Sequence, residues 1–542
     1  VDKRPNVMII LCDDMGYSDL GCFGGEIDTP HLDKLAADGI RCTQFYSSPR
    51  CAPSRASMLT GLHPHQAGIG ILTYDDGPDG YPGNLGRNTV TMAEVLRKEG
   101  YRTYLSGKWH LAKDTAHEND TWPLHRGFDR FYGTLAGSGS FYMPHTLMRG
   151  NENVEHETLE EGFYYTDAIT EHAISCIRDH LQQCTEQPFF QYVAYTAPHW
   201  PLQAPEEEIE RYRGRFDQGW DQLREERLTR MTEMGILSPT WTPAERDSGT
   251  PSWEEVDHKA WRQRCMEVYA AQITRMDRGI GDILAALREA GQLDNTLILF
   301  LSDNGGCAEH IHPHPEPGVP LIPRATTREN KPVLLGNHPD VMPGKADTFQ
   351  TYNYWAYLSN TPFRLYKSWV HEGGIATPLI AHWPGRLGRP GSIRHTPGQL
   401  TDLMPTVLEA AGAAYPSRYE GVEVLPLEGR SLMPVFTNDL DLDDLDDLDL
   451  PRHLFWEHQG NAAVRSGHLK LVRDYPGEWE LYDLQKDRTE SCNLAERYPE
   501  TVAALSSEYE KWAARCRVIP REQILNIPGR VLRQSPYFGW MI

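Results

Sequence analysis

Three apolar runs along the chain stop abruptly at polar residues. Val7-Met8-Ile9-Ile10-Leu11-Cys12 gives way to Asp13-Asp14-Met15-Gly16. Phe189 to Tyr195 gives way to Thr196-Ala197-Pro198-His199-Trp200, and Thr296 to Leu301 to Ser302-Asp303-Asn304-Gly305-Gly306. Unbroken apolar runs predict strands buried on both faces, as in parallel α/β sheets, which gather ligands beyond the carboxyl ends of their strands. Further strands are predicted over Ile40 to Tyr46, from Tyr101 to His110, and over Ala376 to Trp383. Residues 164–184 and 266–290 carry apolar positions at helical spacing. Thr29-Pro30 starts a helix through Ala37, with threonine as cap and proline in the first turn. Thr91 and Glu94 form a capping box for a helix ending at Gly100, and residues 402–411 form a short packing helix. The expected fold class is α/β: a large mixed, mostly parallel sheet sandwiched by helices.

The pattern changes twice. From about Glu206 to Trp261 the chain is rich in Glu, Arg and Trp, which predicts a helical insertion over the sheet. After about residue 430 come an acidic repeat (439–450) and alternating segments at His468 to Arg473 and Trp479 to Asp483, punctuated by Gly467 and Pro476-Gly477. A helix from about 497 to 514 and an apolar tail, Val518 to Ile542, follow. This predicts a large α/β domain over 1–430 and a small α+β domain with an antiparallel sheet over 431–542. The tail lies along its own domain or reaches a partner subunit, in a homodimer or higher homo-oligomer. The acidic repeat lacks the glycine and terminal glutamate of a helix-loop-helix calcium loop and reads as a solvated connector.

Composition narrows the function classes. A net charge of −23 over 542 residues argues against a broad nucleic-acid surface, though not against a local basic pocket. Ten cysteines without a CxxC pair are read mostly as buried thiols. The first apolar run is too short for a signal peptide or a membrane span. The expectation is a cytoplasmic protein without a membrane partner, or a periplasmic one if a leader has been removed. His310, His312 and His314 read as part of an exposed irregular loop rather than a transition-metal site.

Cys51-Ala52-Pro53-Ser54-Arg55 sits where a loop should turn into a short helix, whose free N–H groups favour an anion beside Cys51 and Arg55. The same residues read equally as a buried cysteine and a surface arginine. Asp13 and Asp14 repel each other unless a cation or basic group neutralises them. Strand neighbours point to opposite faces, so both acids reach one site only if the backbone turns at once, and Gly16 is the candidate for that turn. Lys108 and His110, on alternate positions at a strand end, are expected on one side, suited to an anion and a proton transfer. Solvated loop residues remain the alternative for both pairs.

Taken together, these stations resemble the type I, formylglycine-dependent sulfatases, nearest the bacterial arylsulfatases, in the alkaline-phosphatase-like superfamily. Cys51-Ala-Pro-Ser-Arg55 matches the family's C-x-P-S-R signature and Gly100-Tyr-Arg-Thr to Gly107-Lys108-Trp-His110 its second signature. Asp13-Asp14, His199 in TAPHWP, Asp303-Asn304 and Lys367 in RLYKSWVHEGG follow in the family's order, over roughly residues 6–384. The resemblance implies that a maturation enzyme converts Cys51 to formylglycine (3-oxoalanine), hydrated at rest. It also implies that Asp13, Asp14, Asp303 and Asn304 hold one divalent cation. Oxygen-only ligands suit Ca2+, with Mg2+ or Mn2+ as alternatives and zinc disfavoured.

By the same resemblance, Arg55 and the cation favour ionisation of a residue-51 hydroxyl, with Asp303 close enough to accept its proton. Lys108, Lys367 and His199 bind the sulfuryl oxygens, and His199 or Lys367 protonates the leaving oxygen. His110 triggers release of sulfate from a covalent intermediate by deprotonating the second hydroxyl. His371 and Glu372 are expected behind the reacting residues, holding a ligand or a lid. The implied activity is hydrolysis of a small-molecule sulfate monoester, an aryl sulfate first. Phosphonate monoester or phosphodiester hydrolysis at the same site, and an inactive anion-binding protein, are the alternatives.

Overall fold

Eleven strands form one sheet in the computed structural model, which describes residues 4–73, 77–184, 186–313, 326–437 and 452–527. The acidic repeat, His314 and the tail beyond residue 527 lie outside the described residues. At the centre, Thr296–Ser302, Asn6–Cys12, Phe189–Ala194 and Arg102–Gly107 run side by side and parallel. Arg130–Thr134 continues the parallel set. On the other flank, Ala376–His382 runs antiparallel between Thr296–Ser302 and Ile40–Tyr46.

The unbroken apolar runs are explained by two cores. Met8, Ile10 and Cys12 face one, covered by the helices Tyr165–Gln183 and Lys259–Glu289; Val7, Ile9 and Leu11 face the other, covered by Cys51–Thr60, Met92–Lys98 and Leu403–Ala411. With helices on both sides, no face of a central strand meets water and polar alternation is lost.

Register then places the site. Cys12 pairs with Ser302, while Leu11 and Gly107 both pair with Ala194, so four parallel strands end level. The residues that follow each strand open onto one edge of the sheet. Because Ala376–His382 is antiparallel, it begins at that edge, with Ala376 opposite Tyr46. The segments before Ala376 and after Tyr46 therefore arrive there too. Gly107 allows the close approach: it lies at φ 116° and a Cβ would fall 1.9 Å from the carbonyl oxygen of Ala194.

The Thr91–Glu94 capping box forms, with Glu94 N donating to Thr91 Oγ1 at 3.1 Å and Thr91 N to Glu94 Oε2 at 2.7 Å. Thr29 does not cap its helix through its side chain; Asp277, from a neighbouring helix, accepts from the backbone of His31 and Leu32 instead. The helix expected from 266 begins at Lys259, because Trp261 and Cys265 lie on its buried face among polar neighbours that mask the periodicity. Within 206–261 the helices are Glu206–Glu210 and Gly219–Glu233, and residues 234–258 are irregular. Fully buried Arg227 ties this segment to the loop after the first strand, pairing with Asp19 at 2.9 Å and Glu26 at 2.8 Å.

A smaller C-terminal domain carries an antiparallel sheet of His453–His458, Asn461–Ser466, Leu469–Arg473 and Glu480–Asp483. Helix Pro499–Cys516 packs on one face through Leu505, Tyr509 and Trp512. The other face joins the large sheet's core through Leu454, Trp456, Val472 and Tyr482. Beyond that helix, Ile524 and Ile527 pack into the large domain's core.

At the joint, Lys470 pairs with Glu372 at 2.9 Å and Glu490 at 2.8 Å, all buried. Removing one partner of a buried ion pair strands charge. Lys470→Met is accordingly expected to lower unfolding stability by about 3–5 kcal/mol, read as a shift of the urea midpoint. A shift below about 1 kcal/mol would show that the network is not structural. Among the described residues no helix is long and apolar enough to cross a membrane.

Candidate active site

Cys51 opens the helix Cys51–Thr60 after Arg50, which is in extended conformation. It is 3% exposed. Arg55, one turn later on the same helix face, is 0% exposed and so is no surface arginine. Its guanidinium forks: Nε and Nη2 donate to Asp303 Oδ2 at 3.2 and 2.8 Å, and Nη1 to the Lys108 carbonyl at 3.1 Å and the Tyr192 hydroxyl at 3.3 Å. One side chain thus fastens the Cys51 helix to the ends of two strands and to Tyr192 within a third.

Asp13 and Asp14 do reach one site, but the turn is made by Asp14 itself, in the left-handed region at φ 64°. Gly16 is needed for space instead: a Cβ there would lie 2.3 Å from the Ser359 carbonyl oxygen. Asp13 Oδ2 accepts from Lys108 Nζ at 2.5 Å and lies 3.6 Å from Arg55 Nη2. Asp14 Oδ2 accepts from Lys367 Nζ at 2.8 Å and lies 3.4 Å from His199 Nε2; its Oδ1 accepts from Asn304 Nδ2 at 2.7 Å. His199 Nδ1 donates to the Trp200 carbonyl at 2.6 Å, which leaves Nε2 as the acceptor facing Lys367 at 3.4 Å.

Lys108 and His110 arrive differently from the strand alternation expected of them. The strand ends at Gly107, so neither residue belongs to it. Lys108 N still donates to the Ala194 carbonyl, whereas His110 adopts φ 54°, and that left-handed turn brings its Nδ1 to 3.4 Å from Cys51 Sγ. The sulfur stands where an oxygen of a hydrated aldehyde would be.

The charges explain why an unmodified thiol is a poor nucleophile here. Burial pushes the Cys51 thiol up; Lys108 and Lys367 pull it down, while Asp13 and Asp303 push it further up, and the net shift is upward. His110 is driven well below the usual imidazole range by burial and by Lys108 and Arg55, so it is neutral and able to accept a proton. Burial likewise lowers His199 to about 3. Lys367 goes the other way: burial would lower it, but Asp14 and Glu309 hold it well above its ordinary value.

The donor set fits a hard cation. Burial, and then the negative charge of Asp13, push Asp303 up to about 7 against the opposing pull of Arg55 and Lys108. Asp13 Oδ1 and Asn304 Oδ1 are buried with no hydrogen-bond partner. Among the described residues, Asp13, Asp14 and His199 offer ligand atoms within 4.8 Å of one another, so His199 borders the candidate cation site.

His371 and Glu372 point away from this cluster. His371 Nε2 lies 3.2 Å from Glu480, and Glu372 takes Tyr46, Lys470 and Arg488, so both serve the joint with the C-terminal sheet. His310 and His312 pack ring against ring at 4.9 Å, away from any metal cluster found among the described residues. Sequence reasoning missed Tyr192, Arg50 and Glu309. Tyr192 sits inside an apolar run, and Glu309 inside a histidine-rich loop that drew attention to the wrong side chains. All ten cysteines are free thiols, eight of them buried.

Known proteins resemble this chain over most of its length. The Sulfatase family matches residues 5–413, and the N-sulphoglucosamine sulphohydrolase C-terminal family matches 363–514. An uncharacterised sulfatase of Schizosaccharomyces pombe is 33% identical over 95% of both chains. An arylsulfatase of Klebsiella aerogenes is 35% identical over 80% of this chain and 92% of its own. A protein solved in complex with k-i-k-neocarrahexaose shares the fold, with TM-score 0.65 at 24% identity, covering 94% of this chain and 93% of that one.

Proposed function

The chain belongs to the formylglycine-dependent type I sulfatases of the alkaline-phosphatase-like superfamily, and we propose that this sulfate-monoester hydrolase acts on aryl sulfates. The observation that carries the reading is the convergence of Cys51, Lys108, His110, His199 and Lys367 on one sheet edge beside the Asp13–Asp14 pair. Kinship with a protein named an arylsulfatase supports the aryl preference.

Cys51, once oxidised by a maturation enzyme to formylglycine, supplies a hydroxyl nucleophile and a second hydroxyl through which sulfate departs by elimination. A divalent cation, Ca2+ by the oxygen chemistry of Asp13, Asp14, Asp303 and Asn304, supplies charge that stabilises oxyanions. The remaining work falls to the chain's own side chains. Arg55 fixes the Cys51 helix against Asp303 and keeps residue 51 aimed at the anion position. Lys108 and Lys367 flank that position and offset the charge of the sulfuryl oxygens. Lys367, held charged by Asp14 and Glu309, is placed to hand a proton to the departing phenol oxygen, while His199, fixed by its Nδ1 bond to the Trp200 carbonyl, turns its Nε2 acceptor toward Lys367. His110, neutral and against residue 51, takes the proton whose removal frees sulfate.

Protein produced with a formylglycine-generating enzyme should show the aldehyde by intact mass. It should hydrolyse nitrophenyl sulfate with kcat/KM at least about 100-fold above that for a phenyl phosphonate monoester. A larger phosphonate value would assign the site to the other ester class.

A further inference from the structure

Glu309 is buried, five residues beyond Asn304, and its carboxylate reaches three of the loops that build the site. Oε2 accepts from the Trp200 indole at 2.8 Å and from the Cys307 thiol at 3.3 Å. Oε1 lies 3.0 Å from Arg50 Nη1. Arg50 immediately precedes Cys51, and Trp200 immediately follows His199. Arg50 Nη1 also donates to Ser368 Oγ at 2.7 Å, next to Lys367, whose own N–H donates to the Gly306 carbonyl at 3.1 Å. The carboxylate is ionised: burial would raise it, but Lys367 and Arg50 outweigh burial and hold it at about 2.

The charge count gives this hub a purpose. Arg55, Lys108 and Lys367 face Asp13, Asp14 and Asp303, three cations against three carboxylates. Arg50 is a fourth cation at the same edge, and Glu309 is its carboxylate. A sulfate monoester arrives with one negative charge and inorganic sulfate leaves with two. Any cation left uncompensated beside the site therefore strengthens product binding about twice as much as substrate binding.

We propose that Glu309 is a positioning residue that, by pairing with Arg50, keeps this fourth cation from trapping the sulfate dianion, so that product leaves. The proposal rests on the sulfatase reading above and concerns how that site lets go of its product. Glu309 acts through Arg50 and Trp200 and touches no reacting atom.

Glu309→Gln keeps an acceptor for the Trp200 indole and removes the charge. In the metal-loaded, aldehyde-bearing protein, calorimetry with inorganic sulfate should show binding about tenfold tighter, with KM for nitrophenyl sulfate falling less and kcat falling as product is retained. Arg50→Gln should weaken sulfate binding about tenfold, again by more than it raises KM. The double variant should return near the starting affinity. A purely structural Glu309 would instead weaken sulfate and substrate together in both single variants, and that result overturns the proposal, as does an unchanged sulfate Kd. If Glu309→Gln does not fold, Arg50→Gln decides alone, by whether the sulfate Kd moves more than KM. Starting protein that neither binds sulfate nor cleaves the aryl sulfate removes the sulfatase reading and this proposal together. Starting protein that does both, with variants of unaltered sulfate Kd, removes only this proposal.

Discussion

Cys51→Ala is expected to fold normally and to lose turnover of nitrophenyl sulfate by about 10^5-fold or more, the scale on which removal of a covalent nucleophile acts. The structural cost is small for identifiable reasons. The residue is buried at the first position of a helix, where alanine is a good helix former, and the change deletes one sulfur atom, at about 1 kcal/mol. The bonds that lock the site do not pass through that sulfur: Arg55 still reaches Asp303 and Lys108, and Lys367 still reaches Asp14. The thermal midpoint should therefore move by no more than about 2–4 °C, while sulfate binding persists because its cations remain. Residual turnover above about 1% would mean that another group attacks sulfur, and the covalent role of residue 51 would fall.

Much of this arrangement was legible because burial and chemistry are segregated along the chain. A strand covered on both faces has no polar position until its end, so Asp13, His199 and Asp303 stand out where Val7 to Cys12 and its counterparts stop. The level ending of neighbouring parallel strands then brings those ends together. What stayed hidden depends on single backbone angles and on distant partners. Nothing in Asp13-Asp14-Met15-Gly16 reveals that Asp14 rather than Gly16 turns, and alternation gave the shared side of Lys108 and His110 for a reason that does not apply beyond Gly107. His371 and Glu372 lie close in sequence to Lys367 yet face Glu480 and Lys470, more than 90 residues away in the chain. Glu309 was unreadable for the same reason, since its meaning comes from Arg50 and Trp200.

Chelation of the divalent cation should reduce turnover by about 10^3-fold or more and abolish the thermal stabilisation that sulfate gives the loaded protein. The cause is the site's own charge balance. At their ordinary charges Asp13, Asp14 and Asp303 cancel Arg55, Lys108 and Lys367, and Glu309 cancels Arg50. Without the cation the centre has no net attraction for an anion; a divalent ion supplies the excess, and the dianion loses more by its removal than the monoanionic ester. Sulfate affinity should therefore fall further than KM rises. Re-addition of Ca2+ should restore both, Mg2+ or Mn2+ should restore them less fully, and Zn2+ poorly, because the partnerless buried atoms are the hard oxygens of Asp13 and Asn304. A chelated protein that still binds sulfate and still turns over would show that lysine and arginine alone create the anion site. In that case the two orphaned oxygens would have to be satisfied by water, and the acid pair at the end of the first strand would serve only to seat Lys108 and Lys367.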